Sequence, residues 1–185
     1  MNIDLTFPAS YRVEIVPEFP GYPVPNLFYF PPRGPGGTEG VLLRITPEKG
    51  DVWTGCFSPF TRTPVLIAAP QPDWLFVLAD RAGYAINTCQ PSEWSWITSQ
   101  PITGVHIARD HDMILFADYI TIAAYGQNGV VWRSERLCWD DLKIIGVDGD
   151  QIIGCGCDTT SSSEGRFVLD LFTGAICDSD FQPFD

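Results

Sequence analysis

Basic residues and histidines are scarce in this chain: 11 lysines and arginines face 23 aspartates and glutamates, and His106 and His111 are its only histidines. A net charge of −12 repels phosphate backbones and the anionic leaflet of a membrane, which argues against nucleic acid and membrane surfaces as partners. A basic protein is what such a field attracts, although solubility alone accounts for acidity equally well. No apolar run approaches the length needed to span a bilayer. The opening residues, MNIDLTFPASYRVEIVPEFP, show no basic leader, no uninterrupted apolar core and no small-residue cleavage site, so they predict a cytoplasmic protein. Patterns of the G-x-S-x-G, P-loop and G-x-G-x-x-G types are missing. With few general bases and no nucleophile motif, no catalytic residue and no cofactor is assigned.

Cysteine is present, but without a framework. Cys56, Cys89, Cys138, Cys155, Cys157 and Cys177 make an even count, yet the chain is not short, and most of them lie in or beside apolar runs. Free thiols are expected. Cys155 and Cys157 share one strand face with no second spaced pair nearby, so zinc is not expected there. His106, Asp110, His111 and Asp112 offer suitable donor atoms, but two histidines five apart in a strand point to opposite faces, and Asp110-His111-Asp112 reads as a solvated turn. No metal site is assigned.

What the chain has in abundance is short apolar runs broken by turn residues. Four segments run strand, glycine-containing turn, strand: VLLRITPEKGDVW from Val41, LFVLADRAGYAI from Leu75, ITIAAYGQNGVVW from Ile120 and RFVLDLFTGAIC from Arg166. Their glycines, Gly50, Gly83, Gly129 and Gly174, recur at intervals of 33, 46 and 45 residues, and the last two match the period of propeller-type repeats. Asn128-Gly129 predicts a type I′ hairpin, since both residues tolerate positive φ, and Asp148-Gly149 repeats the argument. Helix is limited to two short candidates, SEWSWI and RLCWDDL. Residues 1–40 differ: prolines and Gly34, Gly36 and Gly37 break every helix, leaving strands only at YRVEIV and NLFYF. The expected organisation is a proline-rich N-terminal arm, 1–40, packed on a β-repeat domain, 41–185.

Aligned on glycine, Trp53 and Trp132 each fall three residues after it, in GDVW and GVVW. Together with FVLDLFTGAIC and IAAYGQNGVVW, this pattern over residues 41–180 resembles the outer hairpins of quinoprotein-type propeller blades. Tryptophan stands one residue early relative to that pattern and is absent from two copies. The resemblance implies an all-β fold of antiparallel hairpin repeats. The family's quinone and metal residues find no motif onto which to carry, so no oxidoreductase activity follows. About 45 residues per unit leaves room for a small four-blade-like ring, an open stack of sheets, or a dimer that completes itself; a twisted meander or sandwich is the plainer alternative.

Acidic pairs at Asp140-Asp141, Asp148 and Asp150 flank turns, where aspartate is favoured for its bonds to nearby backbone. Trp94 and Trp96, beside Glu93, are candidates to project on one face as binding anchors. The expected function is a non-enzymatic protein-binding module that engages a basic partner through an acidic surface, in the manner of an immunity protein masking a basic toxin. Glu93, Trp94, Trp96, Asp140 and Asp141 are its candidate residues. The alternative is a carbohydrate-binding or carbohydrate-active β domain in which turn aspartates and the same tryptophans line a sugar cleft.

Overall fold

The computed structural model describes residues 2–4, 6–17, 26–32, 39–158 and 164–182. Among them there is no α-helix, only strands and one 3-10 turn at Arg109–His111. The chain divides into two compact units, Met1–Ile97 and Thr98–Asp185. No helix among the described residues is long and apolar enough to cross a membrane.

The first unit holds two sheets. Sheet 1 takes β2 (Tyr11–Ile15), β3 (Leu27–Phe30), β4 (Val41–Pro47) and β5 (Trp53–Phe57) in the order β2-β4-β5-β3, with β3 parallel to β5. Sheet 2 takes β1 (Asn2–Asp4), β6 (Val65–Ala68), β7 (Trp74–Ala79), β8 (Ala82–Asn87) and β9 (Trp94–Trp96) in chain order, with β1 parallel to β6. The strands expected at YRVEIV and NLFYF are thus β2 and β3, members of a sheet. Period-two alternation sets what is buried: in β4, Leu43 and Ile45 face inward while Arg44 and Thr46 are exposed. Leu43, Ile45, Trp53 and Phe57 of sheet 1 pack with Leu66, Leu75, Val77, Tyr84 and Ile86 of sheet 2. Each such side chain contributes about 1.5–3 kcal/mol on burial, which is what holds one sheet face to the other.

The second unit repeats this plan with two antiparallel meanders. Sheet 3 is β10 (Gly104–Ala108), β11 (Met113–Ala117), β12 (Ile122–Gly126) and β13 (Gly129–Arg133). Sheet 4 is β14 (Asp140–Asp148), β15 (Gln151–Cys157), β16 (Glu164–Asp170) and β17 (Ile176–Ser179). Met113, Leu115, Ile122 and Trp132 pack with Leu142, Ile152, Phe167 and Leu169. Away from that core, sheet 4 carries Lys143, Cys155 and Arg166 side by side on neighbouring strands. Gly154 lies opposite Phe167 in the ladder, and the ring covers the place where a Cβ would be.

The two tryptophans aligned in the sequence do the same job in the two units. Trp53 of sheet 1 donates its indole N–H to the Thr88 carbonyl beyond β8 of sheet 2, at 2.8 Å. Trp132 of sheet 3 donates to the Leu171 carbonyl beyond β16 of sheet 4, also at 2.8 Å. A buried N–H left without an acceptor costs about 1–3 kcal/mol, so each bond fixes sheet-to-sheet register as well as adding cohesion.

Some local expectations are corrected. The second hairpin turns at Asp80-Arg81, with Asp80 at φ 56°, and Gly83 sits inside β8. At Gly129 the hairpin forms, but only Gly129 has positive φ (87°). Gln127 and Asn128 therefore make the turn, with Gly129 following as in a turn-plus-bulge loop. Gly149 (φ 54°) precedes Asp150, which is not left-handed, the pattern of a II′ turn. SEWSWI is not helical: its alternating tryptophans form β9, paired with Tyr84 and Ile86 of β8. RLCWDDL enters β14 instead of coiling.

Candidate functional site

The negative charge is unevenly placed. Residues 98–185 contain 14 Asp and Glu against 5 Lys and Arg, whereas 1–97 contain 9 against 6. Within the second unit much of it collects where the meanders turn. The β10–β11 turn carries Asp110 and Asp112, the β14–β15 turn Asp148 and Asp150, and the β16–β17 turn begins at Asp170.

Contacts join these turns into one end of the unit. His111 Nε2 lies 3.4 Å from Asp150 Oδ1. Its ring meets that of Phe172 edge-on at 5.8 Å. Leu171 N–H donates to the Asp150 carbonyl at 2.9 Å, and Gln127 Nε2 donates to Asp112 Oδ2 at 3.5 Å. Phe172, two residues after Asp170, is 49% exposed. Arg109 is the cation nearest to His111 in sequence.

Asp170 shows how a turn keeps a carboxylate charged. It accepts the Thr173 hydroxyl at 2.7 Å, the Thr173 N–H at 2.8 Å and the Phe172 N–H at 3.1 Å. The Thr173 hydroxyl is the main cause of a carboxyl pKa below the usual range, with the backbone donors adding to it. Phe172 escaped the reading of the sequence. Its signal was present: a phenylalanine at a turn position where small and polar residues are preferred.

Asp140 and Asp141 open β14, whose far end carries Asp148, roughly 25 Å away at the usual rise per strand residue. Asp141, at φ 53°, is bound by Lys143 Nζ at 2.7 Å, and Asp140 Oδ1 accepts the Asp141 N–H. Next to them Trp139 is exposed under the Arg136 guanidinium, 4.2 Å from the ring centroid.

Glu93, Trp94 and Trp96 lie in the first unit. Both tryptophans share the face of β9 that carries their ladder partners Ile86 and Tyr84 on β8, and Trp94 packs against the core. Their rings meet edge-on at 5.6 Å, and Trp96 leans on Tyr84 at 4.6 Å. Trp94 is half-buried and Trp96 is 41% exposed. Opposite, β3 supplies Phe30, whose ring is 5.7 Å from that of Trp94. A cleft of about 330 Å³ opens between β3 and the β8–β9 connection, lined by Phe28, Tyr29, Phe30, Pro32, Pro91 and Trp94, among others. The Glu93 carboxylate accepts Asn87 Nδ2 at 2.8 Å.

Among the described residues, no three His, Cys, Asp or Glu side chains gather where a metal ion would sit. Among the described residues the cysteines form no disulfide. Burial pushes the Cys138 thiol up to about 12, and burial together with the Glu164 carboxylate pushes Cys155 up to about 11.

No family model and no curated protein matches the chain. Among solved structures, Kuenenia stuttgartiensis hydrazine synthase is similar over 90% of this chain and 52% of its own, with 13% identity and a TM-score of 0.40. A protein assigned as TolB from Agrobacterium tumefaciens is similar over 60% of this chain and 43% of its own, with 12% identity and a TM-score of 0.29. The chain thus spans about half the length, or less, of these structures. Both are of the β-propeller type, and the likeness to them is weak. The fold itself is all-β, built from four antiparallel-rich sheets.

Proposed function

We propose that this protein is a binding module that engages a basic protein partner on the acidic turn end of its second unit. The observation that carries this reading is that the turns bearing Asp110 and Asp112, Asp148 and Asp150, and Asp170 meet through His111, which contacts both Asp150 and the exposed Phe172. Carboxylates at the rim steer a cationic partner inward and set its orientation, while a phenylalanine at the centre offers apolar area to bury. Masking of a basic toxin is one form this takes. In this reading the protein works in the cytosol, where free thiols stay reduced.

The carbohydrate alternative draws on the tryptophan cleft of the first unit. The hydroxyls of Tyr29 and Ser92 and the indole N–H of Trp94 are the polar side-chain groups in its lining, few for a ligand whose every hydroxyl gives up a hydrogen bond with water on entry. The protein-binding reading is therefore the better supported.

The test is titration with a lysine-rich peptide, comparing wild type with Asp112→Asn/Asp148→Asn/Asp150→Asn. At up to about 1 kcal/mol for each exposed charge, the triple variant weakens binding roughly tenfold and flattens its salt dependence. Equal affinity of the two proteins at low salt would overturn the proposal.

A further inference from the structure

His111 touches two other turns at the acidic end of the second unit. Its Nε2 lies 3.4 Å from Asp150 Oδ1 in the β14–β15 turn, and its ring meets the exposed Phe172 edge-on at 5.8 Å in the β16–β17 turn. The His111 side chain is 22% exposed and that of Asp150 70%, so the carboxylate is open to a partner while the imidazole is largely covered. Among the described residues, Asp150 is the one carboxylate within ion-pair distance of His111. The other charged groups of the surrounding elements are placed as follows. Asp148 stands at the start of the β14–β15 turn. Asp170 begins the β16–β17 turn, and its carboxylate is taken up by Thr173 and the Phe172 N–H. Arg109, Asp110 and Asp112 share the turn of His111, and Asp112 is bonded to the uncharged Gln127 beyond β12. β11, packed against this turn, carries no charged residue.

We infer that His111 is a pH switch on this binding surface, and that protonation of its imidazole, bridging Asp150 and Phe172, weakens the hold on a basic partner. The inference rests on the acidic turn end being the docking surface. Imidazole is the side chain that ordinarily changes charge between about pH 5 and 8, a range in which carboxylates, lysines and arginines ordinarily keep theirs. A protonated His111 acts in two ways. It adds a positive charge where a cationic partner docks, and it holds Asp150 as an ion pair, which takes one carboxylate away from the partner. A neutral His111 leaves Asp150 to the partner and keeps its edge-on contact with Phe172. The chain has one other histidine, His106. It lies in β10, where burial lowers its pKa, so it takes up a proton only in more acid solution than an ordinary imidazole does. Linkage makes the coupling reciprocal: a bound cationic partner makes His111 harder to protonate.

The experiment measures binding of an oligolysine peptide, blocked at both ends, to the intact protein at low salt, at about pH 7.5 and about pH 5.5. The peptide's own charge is constant over that range. Wild type is expected to bind about threefold more weakly at the lower pH. His111→Gln keeps an N–H donor for Asp150 but takes up no proton, so its affinity is the same at both pH values. His106→Gln, the control, retains the wild-type loss. By linkage, saturating peptide moves the titration of the His111 ring protons, followed by NMR, to lower pH by roughly half a unit, which is the same threefold factor. A merely structural His111 would behave differently: the glutamine variant would lose affinity equally at both pH values and keep the pH dependence. Equal binding by wild type at both pH values, or a pH dependence that survives His111→Gln, overturns this inference and leaves the proposed function standing. Absence of peptide binding by wild type at about pH 7.5 overturns both.

Discussion

Replacing Gly154 with alanine forces a methyl group against the buried Phe167 ring in the core of the second unit. The new Cβ overlaps the ring of Phe167, its cross-strand neighbour, and comes within 2.9 Å of the Lys143 carbonyl oxygen. Neither has room to retreat: Phe167 is 1% exposed and wedged among Ile152, Leu169 and the β11–β12 side chains, while the Lys143 carbonyl belongs to the β14–β15 ladder. Overpacking of this kind costs about 1–3 kcal/mol. In a unit of this size each kcal/mol moves the melting temperature by about 4–8 °C, so thermal unfolding followed by circular dichroism drops by roughly 5–20 °C. Gly146→Ala is the control. It makes the same chemical change in the neighbouring strand, at a glycine with ordinary φ and nothing within 4 Å of the added methyl. It leaves stability unchanged or raises it by about 0.4–1 kcal/mol through the unfolded chain. Phe167→Leu in the Gly154→Ala background returns part of the loss, because the two residues share one space. Equal melting temperatures for the Gly154 and Gly146 variants would refute the reasoning.

Two further outcomes are expected. Exposed Cys157 and Cys177 react first with iodoacetamide at mildly alkaline pH, while buried Cys138 and Cys155, with thiols pushed up to about 12 and about 11, lag behind. Peptide mapping by mass spectrometry reads the order, and early labelling of Cys138 contradicts it. Thr173→Val removes the main donor to Asp170, so the Asp170 carboxyl, followed by carbon NMR, titrates at a higher pH than in wild type. Because that pKa is depressed in the folded protein, the contact stabilises the turn above the ordinary aspartate range and is lost as pH falls through the lowered value. An unmoved titration midpoint in the variant counts against this account.

Most strands were legible because alternation and turn chemistry are local. Toward the end of β4 buried Leu43 and Ile45 alternate with exposed Arg44 and Thr46, and apolar runs such as MILFA form strands buried along their whole length. Features that rest on distant pairing were not legible. Gly83 was read as a corner because it is a glycine, yet the chain turns at Asp80, which adopts the left-handed conformation, and Gly83 pairs with Leu78. SEWSWI became an edge strand because Tyr84 and Ile86 were there to pair with it. β1, three residues long, exists through its parallel partner β6, more than sixty positions further along the chain. The sites show the same limit. Charge surplus is written in the composition, but its gathering at one end depends on which turns the meanders bring together. The cleft needs Phe30 and Trp94, far apart in sequence, to come within 5.7 Å.

The two indole bonds also define where this polypeptide tolerates being cut. A break between Trp53 and Thr88, or between Trp132 and Leu171, separates a donor from its acceptor along the chain, and each piece then carries an apolar surface that its own residues do not cover. The junction at 97/98 falls outside both spans. It is there that a duplication, a fusion or an inserted domain meets the least resistance, because neither donor is parted from its acceptor.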